Sequence, residues 1–78
     1  MTTFEPANLT SSKLNPAQYS LNILVDGEFG HRLSATPIDG IQRLTLKKDG
    51  KLIASRDSER GTLLGWRDAY SWAKGLID

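Results

Sequence analysis

Cysteine is absent from these 78 residues, and histidine and methionine each occur once. That excludes disulfides, zinc–thiolate sites and thiol nucleophiles, and it fits a reducing compartment. Aromatic residues are sparse, two each of Trp, Tyr and Phe. No apolar run approaches the roughly 18 residues that a membrane-spanning helix needs. The N-terminus, Met1-Thr2-Thr3-Phe4-Glu5-Pro6, lacks the basic and apolar regions of a secretory signal. The expectation is a soluble cytoplasmic protein with no membrane partner. The length allows one domain, near the lower limit at which a hydrophobic core suffices without metal or disulfide support.

Against these absences stand two Asp-Gly pairs, Asp26-Gly27 and Asp49-Gly50, each set between alternating apolar residues. Asp and Gly tolerate the positive φ that a tight hairpin turn demands. Tyr19, Leu21, Ile23 and Val25 alternate with Ser20, Asn22 and Leu24, the period of a half-buried strand. A loop of Asp26, Gly27 and Glu28 pairs Val25 with Phe29, Ile23 with His31, Leu21 with Leu33 and Tyr19 with Ala35. A two-residue turn would move Phe29 and Leu33 to the opposite face, so the apolar pattern favours the longer loop. Thr36 to Gly40 reads as a connection. In the second hairpin a two-residue turn pairs Lys48 with Lys51, Lys47 with Leu52, Leu46 with Ile53, Leu44 with Ser55 and Arg43 with Arg56. Leu44, Leu46 and Ile53 then point inward, and Arg43, Lys47 and Arg56 outward.

Residues 1–17 read as an irregular lead-in, because Phe4, Leu9 and Leu14 follow no period and Pro6 and Pro16 restrict their neighbours. Residues 57–61 are polar, and Thr62 is a candidate helix N-cap. Leu63, Trp66, Tyr70, Ala73 and Ile77 make one helical stripe, with Ala69 and Leu76 beside it and Trp72 off it. Gly65 and Gly75 each cost such a helix about 1 kcal/mol relative to Ala, so it must rely on packing. The fold class expected is α+β: residues 18–78 form a single β-β-β-β-α domain, a four-stranded antiparallel sheet of two hairpins with one C-terminal helix packed on one face.

Catalytic chemistry finds little footing. His31, the single histidine, is expected on the inward face beside Ile23, buried and hydrogen-bonded. Asp26, Glu28, Asp39 and Asp49 lie at turns, where Asp is explained by turn geometry, and no spacing forces two acids together. One histidine and no cysteine leave no metal set. Asp26-Gly27-Glu28-Phe29-Gly30 lacks the strand-to-helix context and third glycine of a dinucleotide fingerprint. No catalytic residue, cofactor or metal is expected.

Charge carries more information. The net charge is +1, yet residues 41–67 hold seven basic side chains and three acidic ones. Arg43, Lys47 and Arg56 should share one sheet face, with Lys48 and Lys51 at its tip and Arg32 joining them. Such a face can meet phosphates or an acidic protein surface. It lacks the interleaved aromatics of single-strand binders, and edge lysines also protect against aggregation. Arg67 and Trp72 on the helix complete the candidate partner-binding set, Trp and Arg being frequent interface anchors; Trp72 reads first as a flank residue covering the N-terminal segment and second as such an anchor.

In size and layout, strands about short turns and then a helix containing Trp66-Arg67-Asp68-Ala69-Tyr70-Ser71-Trp72-Ala73, the chain resembles small phage-encoded anti-CRISPR proteins that inhibit type I surveillance complexes. The resemblance spans about residues 19–78, is one of architecture and carries no functional residues over. It implies a non-enzymatic inhibitor that docks on a protein or ribonucleoprotein complex of the host cell and uses charge to occupy a nucleic-acid path. The layout is also similar to sheet-plus-helix DNA binders such as integrase arm-binding domains, which implies the alternative, a weak nucleic-acid binder.

Overall fold

Alternating apolar residues do form strands here, but the sheet has one strand more than the pattern shows. The computed structural model describes residues 2–58 and 62–78; part of the expected polar link, 59–61, lies outside them. Five strands, β1 (Phe4–Ser11), β2 (Tyr19–Val25), β3 (Glu28–Ile38), β4 (Ile41–Lys48) and β5 (Lys51–Asp57), form an antiparallel meander in chain order, followed by helix α1 (Trp66–Ile77). The α+β class with one C-terminal helix holds. The four-stranded sheet does not.

The added strand comes from the stretch expected to be irregular. β1 pairs along β2 from Phe4 opposite Val25 to Ser11 opposite Tyr19. Its side chains gave no period because a bulge between Ala7 and Thr10, with Asn8 at φ 55, breaks the alternation. Pro6 is tolerated because an edge strand has a free side. Thr3 N donates to Asp26 Oδ1 at 2.9 Å and Asp26 N to Thr3 O at 2.9 Å, tying the start of the strand to the next turn.

Three turns, Asp26-Gly27, Asp39-Gly40 and Asp49-Gly50, have positive φ at both central residues, the requirement of the tight hairpin turn that matches strand twist. The middle one replaces the expected Thr36–Gly40 connection: β3 runs on to Ile38, which pairs with Ile41. In the first hairpin Tyr19–Ala35, Leu21–Leu33 and Ile23–His31 pair as expected. The loop, however, is two residues long, and a bulge at Phe29-Gly30 restores the register. Phe29 is therefore 65% exposed, not paired with Val25.

The second hairpin departs further. Lys48–Lys51 and Lys47–Leu52 pair as expected, then Ile53 bulges out and Leu46 faces Ala54, Leu44 faces Arg56 and Arg43 faces Asp57. Ile53 is half exposed, not core. One added residue exchanges the faces of everything beyond it.

The core is Tyr19, Leu21, Ile23, Leu33, Ala35, Leu44 and Leu46 from the sheet, with Ala69 and Ala73 from α1. Each fully buried Leu or Ile contributes roughly 1.5–3 kcal/mol. Small residues one turn apart let the helix approach closely, while Trp66, Tyr70, Trp72 and Ile77 pack around them, partly buried. The helix begins later than the stripe suggested. Its N-cap is Gly65, without a side-chain cap, and Leu63 lies before it, 51% exposed; Thr62 is not the cap. The reason lies in the preceding residue, whose backbone is held elsewhere: Leu64 N donates to Gln42 Oε1 at 3.0 Å, and its carbonyl accepts from Gln42 Nε2 and Tyr19 Oη.

Candidate binding face

The helix covers one face of the sheet. On the other, Ser20, Asn22, Arg32, Ser34, Thr36, Arg43, Thr45, Lys47, Leu52, Ser55 and Asp57 are half-buried or exposed, and none is buried. Paired residues of an antiparallel ladder share a face, so register alone orders this surface. Thr10, Ser20, Ser34, Thr45 and Ser55 form one row across all five strands. Beside it runs Asn22, Arg32, Lys47 and Leu52, and then Thr36, Arg43 and Asp57.

The eight candidate residues fall in different places. Arg32 and Lys47 are direct cross-strand neighbours on the uncovered face. Arg43 shares that face but is engaged: its Nε donates to Asp57 Oδ1 at 2.7 Å and its Nη2 to Asp57 Oδ2 at 3.0 Å. This two-pronged contact raises the Arg43 pKa and holds the Asp57 carboxyl below its usual range. Arg56 is opposite Leu44 and so turns to the helix side. The expected grouping with Arg43 and Lys47 fails because of the bulge at Ile53. Lys48 and Lys51 flank the Asp49-Gly50 turn, in line with His31. Arg67 lies over its neighbour Trp66, 5.3 Å from the ring centroid, and Trp72 is half-buried against the core. The basic set is thus divided, with Arg32 and Lys47 at the centre of the uncovered face.

Neither sheet edge invites a further strand. β1 carries Pro6 and a bulge, and β5 carries Lys51, Arg56 and the Ile53 bulge, devices that discourage edge-to-edge pairing. His31 is half-buried and makes no side-chain hydrogen bond among the described residues, contrary to the buried, bonded state expected. It lies in an open hollow with Asp26, Glu28, Lys48 and Asp49. Desolvation, with Lys48 nearby, lowers its pKa. Among the described residues no three His, Asp or Glu side chains are placed to hold a metal ion, and no helix is long and apolar enough to cross a membrane.

The pattern of single residues could not show the hydroxyl row. Ser20, Ser34, Thr45 and Ser55 are visible as polar positions of alternating strands, but their alignment depends on register, and Thr10 comes from a strand that left no periodic signal. No protein-family model, curated protein or solved structure matches this chain.

Proposed function

We propose that the protein is a small, non-enzymatic binding protein that docks through the uncovered face of its sheet and occludes a macromolecular partner. The partner class suggested by the architectural resemblance is a CRISPR-type nucleic-acid-handling complex of a host cell, with the protein a phage or mobile-element inhibitor of it. One observation carries the reading: Arg32 and Lys47 stand directly opposite each other with no carboxylate partner among the described residues. Like charges in that position destabilise a sheet, and an anionic partner relieves the repulsion. The blunted edges leave the face, not an added strand, as the docking element.

The test is target-DNA binding by a purified type I surveillance complex with the protein added. The wild type should block DNA binding, and Arg32→Glu with Lys47→Glu should abolish the block. An unchanged block in the double variant removes the face from the interface. No block by the wild type removes the partner class.

The hydroxyl row beside two cations also supports the second reading, a weak nucleic-acid binder. Two phosphate contacts on a single strand would give a log K against log salt slope of about −1.4. Single-strand binding with a slope of that size, and no effect on the surveillance complex, favours it.

A further inference from the structure

The end of the uncovered face nearest the β1–β2 connection holds a cleft of about 360 Å³, lined by Arg32 together with Thr10, Ser12, Ser20, Ser34 and Thr36. Among the described residues no carboxylate lines it. Two of its hydroxyls, those of Ser12 and Ser20, already accept hydrogen bonds. Ser12 Oγ accepts from the amides of Leu14 and Asn15, at 3.2 Å each. A hydroxyl has two acceptor positions and one donor, so Ser12 is left with its O–H to give. Ser20 Oγ accepts from Arg32 Nη2 at 3.3 Å, which again turns the hydroxyl toward donation. Arg32 uses one of its five N–H donors in that bond, and Lys47 adds positive potential from the next strand. Around Ser12, Ser20 and Arg32 the cleft therefore offers donors and positive charge, which suit an anion better than a cation.

We infer that this cleft is a binding site for a tetrahedral oxyanion, a phosphate or sulfate group, held by the Arg32 guanidinium and the Ser12 and Ser20 hydroxyls. The assignment rests on the reading of the uncovered face as the working surface and names its ligand chemistry. A planar fork suits two oxygens of such a group, and charge-assisted bonds of this kind are about twice as strong as neutral ones. The cleft is also wide enough to admit a substituent on the group, so the ligand can be an ester as well as the free ion.

The test is an amide-resolved NMR titration of the full chain with inorganic phosphate and, separately, sulfate, at constant ionic strength set with chloride. Saturable shifts confined to Ser12, Ser20, Arg32, Ser34 and their neighbours are expected. Arg32→Gln should weaken binding about tenfold or more. Arg32→Lys should fall between, keeping charge without the fork. Lys48→Gln, outside the cleft, should change nothing. Dimethyl phosphate and phenyl phosphate as further arms separate a diester source, such as a nucleic-acid backbone, from a monoester. Absence of saturation, shifts spread to Lys48 and Lys51, or an unaltered titration in Arg32→Gln overturns the site. If phosphate saturates while Arg32→Glu with Lys47→Glu still blocks the surveillance complex, the docking reading fails and the site stands. If the charge reversals abolish the block but phosphate does not bind, the site fails and docking through the face stands.

Discussion

Gln42 and Leu64 are joined by reciprocal hydrogen bonds, Leu64 N to Gln42 Oε1 at 3.0 Å and Gln42 Nε2 to Leu64 O at 3.0 Å. Gln42 Nε2 also reaches Ala17 O at 3.3 Å. Its own amide donates to Ser58 Oγ at 2.9 Å, and its carbonyl accepts from Ser58 N at 2.9 Å. One side chain, 2% exposed, thus imitates a backbone strand for the segment leading into the helix.

Gln42→Leu fills the same space but strands the Leu64 amide and the Ala17 carbonyl. A fully buried unsatisfied group costs about 1–3 kcal/mol and these bonds are part-buried, so a loss of about 1–3 kcal/mol in all is expected in urea unfolding. Hydrogen exchange at Leu64 should accelerate ahead of the sheet. A change below about 0.5 kcal/mol, within the range of an ordinary surface substitution, would show that the clamp is not structural.

Tyr19 gives a prediction at alkaline pH. Burial, with Asp68 nearby, pushes its pKa from 10.0 up to about 12. Below pH 10 the phenol is protonated in both folded and unfolded chains, and stability is fully present. Between pH 10 and about 12 only the unfolded chain ionises, so stability falls, by about 2–3 kcal/mol across the window. Tyr19→Phe should flatten most of that slope, leaving a smaller part from Tyr70, whose pKa is also raised by burial. At neutral pH it should cost about 1 kcal/mol for the bond from Tyr19 Oη to Leu64 O.

Two glycine substitutions should act in opposite directions. Gly30 has φ +144, and a Cβ there would sit 3.3 Å from Asp49 Oδ1, so Gly30→Ala should destabilise by about 1–3 kcal/mol. Gly75 lies within α1 with nothing within 4 Å of an added Cβ, and Gly75→Ala should stabilise by about 0.5–1 kcal/mol. Thermal unfolding of both variants checks the pair.

The Arg43–Asp57 contact should matter only while the carboxylate is charged. The pKa of Asp57 is depressed from the ordinary 3.8, so its contribution is present above that pH and is lost as the pH falls through the folded-state value. Asp57→Asn should lower the unfolding midpoint slightly at neutral pH and match the wild type in strong acid. The neutral-pH difference should shrink in 1 M salt.

What the sequence reveals and conceals follows from range. The Tyr19–Ala35 and Leu21–Leu33 register was legible because a buried face forces a period of two. The Phe29-Gly30 bulge was not, because it packs against the Asp49 turn, with Asp49 N donating to Gly30 O at 2.9 Å, across residues far apart in the chain. β1 was hidden because its bond to the sheet is made by backbone, with only Phe4 and Ala7 half-buried. Arg32 and Lys47 could be named as basic candidates from sequence, yet their adjacency required β3 and β4 to be aligned. Arg56 was misplaced by one bulged residue, and the late start of α1 by a glutamine 22 positions away.

Three of the four strand connections are two-residue turns. Closing so short a span sacrifices little chain entropy, and contacts close in sequence form quickly. The meander can therefore zip from one Asp-Gly corner to the next. The helix, returning over that surface by a longer tether, is expected to join last. Destabilising α1 should accordingly speed unfolding far more than it slows refolding.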